Sequence, residues 1–184
     1  MEPVSRWGLN QRIGSSRPSV PPTTPPASSS ALFLVAGEKT SPATRDFTVA
    51  VFVAHRGRVL LQLHRTLGRW LPPGGHIEPN ELPDEAALRE VWEETGVRAE
   101  LIGSPGIDVE RPGQPHQLCR PAGVQLATIR PGHEHIDLVY FAIGQPASAP
   151  AREGARWFSL DELEPLGLTE EVRAWCIAVL AATA

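Results

Sequence analysis

From Asp46 onward the chain alternates between short apolar runs and polar punctuation. Phe47 to Ala54 and Val59 to Leu63 are rich in β-branched and aromatic residues, and His55-Arg56-Gly57-Arg58 between them suits a hairpin turn. Arg98 to Gly103, Val124 to Ile129, Leu138 to Ile143 and Arg156 to Ser159 add four further predicted strands. Ser104 to Gly123, rich in Gly and Pro, reads as a long loop, the kind of segment in which a rigid scaffold carries substrate choice. The period changes twice. Pro83 suits a first helical position, Asp84 and Glu85 a first turn and Gly96 the position past the end, which predicts a helix over Pro83 to Thr95. A second helix, Thr169 to Ala182, opens on Thr169-Glu170-Glu171. This order of elements implies an α/β fold with a mixed sheet between helices. Trp157, Phe158 and Tyr140 are expected in its core.

At about 100° per residue, Glu90, Glu93 and Glu94 fall within an arc about 100° wide, and Leu88, Val91, Trp92 and Thr95 fall opposite. The helix therefore reads as amphipathic, with its carboxylates turned away from its packing stripe. Carboxylates at i, i+3 and i+4 repel, at a cost of a few tenths of a kcal/mol per pair, unless a cation sits among them. Mg²⁺ answers this need, because it takes oxygen ligands and is held by a few carboxylates together with substrate phosphates. The plainer alternative is a solvated face on which Glu85, Arg89 and Glu93 form i,i+4 ion pairs. Upstream, Leu71-Pro72-Pro73-Gly74-Gly75 joins stiff prolines to glycines that let backbone approach a ligand closely.

Gly75, Glu81, Arg89, Glu90, Val91, Glu93, Glu94, Gly96 and Val97 together fit the spacing G-x5-E-x7-R-E-U-x-E-E-x-G-U, where U is aliphatic. The chain resembles the Nudix hydrolases in this signature, which it matches without a departure, and in the layout of elements from Asp46 to the C-terminus. The resemblance implies an α/β/α sandwich around a mixed β-sheet. It implies that Glu90, Glu93 and Glu94 bind catalytic Mg²⁺, or Mn²⁺, that the Gly75 carbonyl joins them, and that Glu81 is an outer ligand. Arg89 would orient a catalytic glutamate, whereas its bare spacing also allows a surface ion pair with Glu85 or Glu93. The implied reaction is attack by water on one phosphorus of a diphosphate, with Glu93 and Glu90 first in rank as general base. Glu134, beside the predicted strand Leu138 to Ile143, is a candidate for an additional ligand or base, or an ordinary polar residue at a strand start. His133, His135 and Asp137 alternate onto one strand face and could bind a transition metal, although no cluster of softer ligands accompanies them in sequence.

The substrate class implied is a nucleoside diphosphate linked to a further group, with a nucleoside triphosphate or a nucleotide sugar first. ADP-ribose or a dinucleotide stands second, and a non-catalytic nucleotide sensor third. Pro112, 16 residues after Gly96, resembles a marker of the ADP-ribose branch, and the lack of tyrosine between Ser104 and Gly123 speaks against the dinucleoside polyphosphate branch.

A formal charge of -4 gives no sign of a general nucleic-acid surface. Eight acidic residues lie between His76 and Glu100, against only Arg89 and Arg98, so the acidity is concentrated at the proposed metal site. Cys119 and Cys176 lack the spacing of a disulfide framework or zinc site, which fits a reducing, cytoplasmic setting. Ala31 to Ala36 is too short to span a membrane, and no membrane association is expected. Residues 1–45 form a Pro/Ser/Thr-rich tail: five of the sixteen residues from Ser15 to Ser30 are proline, a composition that cannot bury a core and predicts disorder, with residues 46–184 as the hydrolase domain.

Overall fold

A computed structural model describes residues 44–107, 111–145 and 151–184. The tail expected over residues 1–45 lies outside the described residues except for Thr44 and Arg45, which open the first strand.

Eight strands form one mixed sheet: β1 (Thr44–His55), β2 (Arg58–His64), β3 (Arg69–Leu71), β4 (Gly74–His76), β5 (Ala99–Leu101), β6 (Gly123–Arg130), β7 (His133–Gly144) and β8 (Ala155–Ser159). The helices are α1 (Pro83–Thr95), α2 (Leu160–Leu163) and α3 (Glu170–Ala182), with a 3-10 turn at Glu164–Leu166. Strands β1 and β7 run parallel through the centre, from Thr44 opposite His133 to Ala54 opposite Ile143, and every other pairing is antiparallel. Each central strand shares its outer edge between two partners. The first half of β1 pairs with β4 and the second half with β2, while β7 pairs with β6 and then with β5. The β1–β2 hairpin turns within His55 to Arg58, where the sequence predicts a turn, and its two central residues, Arg56 and Gly57, are both at positive φ.

Alternation along β1 explains the two layers. Val49, Val51 and Val53 face α1, and pack with Leu60, Ala86, Ala87, Val91, Tyr140 and Ala142. Phe52 and Ala54 face α3, with Val59, Leu61, Val139, Phe158, Val172, Cys176 and Val179. Phe158 and Tyr140 are buried core residues, and Trp157 packs against the α1 layer. Both faces are thus closed by a helix, which accounts for the near-continuous apolar run of the central strand.

Pro83 opens α1 and Gly96 closes it in the left-handed conformation (φ 69°), its N–H bonded to the Trp92 carbonyl at 2.9 Å. The rotation of α1 differs from the sequence expectation. Its buried arc is Ala86, Ala87, Val91 and Thr95, with Glu90 and Glu94 partly buried inside it. Trp92 is 43% exposed and Leu88 lies outward too. The guanidiniums of Arg98 and Arg152 cover the Trp92 ring at 4.8 and 5.7 Å, so it packs on cations rather than on the sheet. Two alanines leave the room that brings the carboxylate side of the helix toward β4. Among the described residues, no helix is long and apolar enough to cross a membrane.

Candidate active site

The Leu71-Pro72-Pro73-Gly74-Gly75 segment joins two short strands of the sheet, β3 ending at Leu71 and β4 starting at Gly74. Gly74, Gly75 and His76 pair with Ala50, Val49 and Thr48, so the loop before α1 is fixed to the central strand. Gly75 lies against Glu90: a Cβ at this position would sit 2.7 Å from the Glu90 carboxyl carbon and still closer to one of its oxygens. Only a glycine lets that carboxylate rest on the strand backbone.

Glu94 reaches the same loop. Its Oε2 accepts the Gly74 N–H at 2.9 Å and a short bond from the Gln62 amide on β2. Burial, opposed by the Gly74 N–H and aided by the neighbouring Glu90 charge, pushes its carboxyl above the usual range. Gln62 is a positioning residue that the sequence did not reveal, since an amide near a strand end carries no pattern.

Arg89 organises the remaining acids. Its Nε donates to Glu81 Oε1 at 2.6 Å and its Nη2 to Glu81 Oε2 at 2.9 Å, a two-point fork. Its Nη1 donates to Glu90 at 2.8 Å and to Glu93 at 3.2 Å, and Nη2 also reaches the His76 carbonyl at 3.0 Å. These bonds, Glu81 foremost, hold Arg89 firmly protonated, and in turn the arginine lowers the Glu81 carboxyl below its ordinary value. Glu81 Oε2 accepts the Glu78 N–H as well, at 2.9 Å. Both of its oxygens are thereby committed. The i,i+4 pair with Glu93 expected for a plain surface arginine exists, but it is the longest of these contacts. The pair with Glu85 does not: Glu85 instead accepts the Leu82 N–H at 3.3 Å at the start of α1.

The carboxylates therefore differ in surroundings. The Glu90 side chain is 14% exposed and that of Glu93 58%. Glu94 has only neutral hydrogen-bond donors and no ion pair among the described residues. A half-buried carboxylate without a counterion, next to a second one that shares its arginine, is a donor set short of positive charge. All its donors are oxygen, which fits a hard divalent cation.

Beside Gly74 and Gly75 opens a cleft of about 370 Å³, on the α3 face of the sheet, whose walls include Thr48, His64, Gln125, Asp137 and Glu171. Gln125 ties the far wall together: its amide donates to Asp137 at 3.3 Å and Glu171 at 3.0 Å, and its oxygen accepts from the Trp175 indole at 3.0 Å. Glu134, by contrast, is not brought to the box carboxylates by any hydrogen bond or ion pair among the described residues. It lies near the start of β7 and accepts from Arg45 Nε at 2.8 Å. His133, His135 and Asp137 do share a strand face, as alternation requires, and burial followed by the charge of His76 lowers the His135 pKa.

Comparison with known proteins supplies an independent line. A family model described as the NUDIX domain matches residues 44–177. A MutT-like protein of Streptomyces ambofaciens is 42% identical over 71 residues, covering 38% of this chain and 46% of the relative. The asymmetrical bis(5'-nucleosyl)-tetraphosphatase of Rattus norvegicus is 32% identical over 117 residues, 63% of this chain and 73% of the relative. A crystal structure of a NUDIX-family hydrolase from Clostridium perfringens superposes with a TM-score of 0.63 at 32% identity, covering 77% of this chain and 99% of that one. The chain spans less than half the length of several curated relatives that it matches, the Streptomyces protein among them. The family match extends from the first described residue of β1 into α3, well beyond the box itself, and the chain belongs to the Nudix hydrolases.

Proposed function

We propose that this chain is a Mg²⁺-dependent hydrolase that cuts a phosphoanhydride bond in a nucleoside diphosphate linked to a further group. A nucleoside triphosphate or nucleotide sugar is the leading substrate class. The observation that carries this reading is the convergence of Glu90 and Glu94 on the Gly74-Gly75 backbone at the edge of the cleft, with Glu93 beside them open to solvent. Glu90, Glu93, Glu94 and the Gly75 carbonyl would hold the cation, with Mn²⁺ as a substitute and Glu81 in an outer role. When bound, the metal neutralises diphosphate charge and eases deprotonation of water.

The chain's own groups divide the remaining work. The cleft takes the nucleoside side of the substrate and sets its phosphates against the loop. Glu93, the most accessible carboxylate of the three, takes the proton of the attacking water; Glu90 is second in rank for this role. The water oxygen bonds to one phosphorus, the bridging P–O bond breaks, and the departing phosphate leaves with the electron pair. Arg89 keeps Glu90 and Glu93 in place and does not exchange protons itself. Glu134 would serve as an additional base only if substrate binding brings it to the box.

The rat relative's name supports adding dinucleoside polyphosphates to the candidates, although the loop over Ser104 to Gly123 lacks the tyrosine expected of that branch. Two free cysteines agree with a cytoplasmic setting. The test is phosphate and pyrophosphate release, with Mg²⁺ and with Mn²⁺, across nucleoside triphosphates, nucleotide sugars, ADP-ribose, dinucleotides and dinucleoside polyphosphates. Metal-dependent turnover of one class names the substrate. Nucleotide binding without turnover across the panel would turn the reading to a sensor.

A further inference from the structure

The H-x-H-x-D run on β7 gains partners that the sequence did not place beside it. On the central ladder His133 lies opposite Thr44 and His135 opposite Asp46, and His76 on β4 lies opposite Thr48 across the other edge of β1. Register and alternation put Asp46, His76, His133 and His135 on one face of three adjacent strands. His76 Nε2 stands 3.5 Å and His133 Nε2 3.7 Å from the same oxygen, Asp46 Oδ2. The His135 ring meets His76 and His133 edge-on, with centroids at 4.9 and 5.1 Å. One ligand atom each from Asp46, His76 and His135 falls within 4.8 Å of the others.

The two separations from Asp46 Oδ2 approach those of a tetrahedral ion, and the exposed side chains of Asp46 and His76 leave room for the wider ones to close. With metal–nitrogen and metal–oxygen distances of about 2.0–2.2 Å, neighbouring ligand atoms lie about 3.3–3.5 Å apart. The orientation of His133 points the same way. Thr44 Oγ1 lies 2.9 Å from His133 Nδ1 and 3.2 Å from the Gly132 carbonyl. A hydroxyl that donates to the carbonyl accepts the Nδ1–H, which leaves the Nε2 lone pair facing the Asp46 carboxylate. Such a pair of facing acceptors is satisfied by a proton or by a metal ion between them, and a second-sphere bond on the far nitrogen is the usual way to aim a ligating histidine.

We propose that Asp46, His76, His133 and His135 form a second metal site, for a zinc-class transition ion. It shares no ligand with the carboxylate site, although His76 and His135 also line the cleft, and it differs in chemistry, since three imidazoles and one carboxylate favour a borderline-soft ion where the oxygen set favours Mg²⁺. His76 follows Gly75 directly and its carbonyl accepts from Arg89, so an ion here would pin β4 to β1 and β7 beside the catalytic loop.

The test uses the full chain, free of any histidine tag, with separate metal-free samples titrated with Zn²⁺ and with Co²⁺ in a large excess of Mg²⁺. The expected result is one equivalent of Zn²⁺ held against Mg²⁺, a visible Co²⁺ spectrum of tetrahedral intensity, and a melting temperature raised by Zn²⁺. His133→Gln and His135→Gln should each weaken Zn²⁺ binding by about 10- to 100-fold or more, with melting in Mg²⁺ alone serving as the fold control, while Glu93→Gln keeps the ion. Displacement of Zn²⁺ by Mg²⁺, undiminished binding in both histidine variants, or loss in Glu93→Gln alone would each overturn the proposal. None of these readouts depends on turnover, so the result stands apart from the fate of the hydrolase reading.

Discussion

Helices α1 and α3 are both 13 residues long and lie on opposite faces of the same sheet, yet they use the sheet-facing side differently. On α3, Val172, Cys176 and Val179 at i, i+4 and i+7 make an apolar stripe, and Thr169 caps the start by accepting the Val172 N–H at 3.3 Å. That helix packs through this stripe and, beside it, adds only Glu171 to the wall of the cleft. On α1 the same side carries Ala86, Ala87, Val91 and Thr95, with Glu90 and Glu94 set among them. Small residues bring this helix close, and the volume not filled by larger apolar side chains is taken by carboxylates. One helix face thus holds the layer together and presents acids to the Gly74-Gly75 backbone. The difference shows that a site can be part of a packing surface rather than its reverse.

The comparison breaks most sharply at Glu93. Glu93→Gln is expected to lower turnover at saturating Mg²⁺ by about 10²–10⁴-fold with melting nearly unchanged, the range of a lost general base. A near-normal rate would remove Glu93 from the chemistry. Gly75→Ala comes next, because its methyl group displaces the Glu90 carboxylate; we expect turnover to fall by about tenfold or more, by analogy with overpacking costs of 1–3 kcal/mol. Val91→Ala and Val179→Ala probe the two stripes directly. Each should cost about 2 kcal/mol in urea unfolding, but only Val91→Ala should also slow turnover, since it underlies Glu90 and Glu94. Equal rates in both variants would show that packing and chemistry on α1 are independent.

Alkaline pH tests both layers at once. Tyr140 on the α1 side and Cys176 on the α3 side are each pushed up to about 12, chiefly by burial. Both acids are raised in the folded state, so their contribution is fully present below the unfolded values, about 8.5 for Cys and 10 for Tyr, and is lost as pH rises toward 12. Unfolding free energy should therefore decline from about pH 8.5 upward. A flat profile to pH 11 would contradict the burial of both groups. The smallest effect is assigned to Trp92→Ala: with the ring outward under two guanidiniums, the loss should stay below about 1 kcal/mol. A loss of about 3 kcal/mol would restore the rotation of α1 that the sequence alone suggested.

Local rules made much of this protein legible. The bounds of α1 follow from Pro83 and Gly96, the β1–β2 hairpin from Arg56-Gly57, and the spacing of the acids from the box, because each depends on residues within a few positions of one another. Strands β3 and β4, of three residues each, were not legible, since a Pro-Pro-Gly-Gly segment becomes strand only when β1 offers it an edge. The rotation of α1 also escaped, because a helical wheel records which residues share an arc and not which arc the sheet will meet. Arg89 was placed between two roles by spacing, and only the return of the chain at Glu81 and His76 gave it a fork and a carbonyl to hold. Gln62 against Glu94, and Asp46 and His76 beside His133 and His135, lie even further from any sequence pattern. The sequence determined the elements and the box, where the physics is short in range along the chain. Tertiary structure decided which side of α1 carries both packing and carboxylates, and which distant histidines meet, because strand register joins residues that no local period relates.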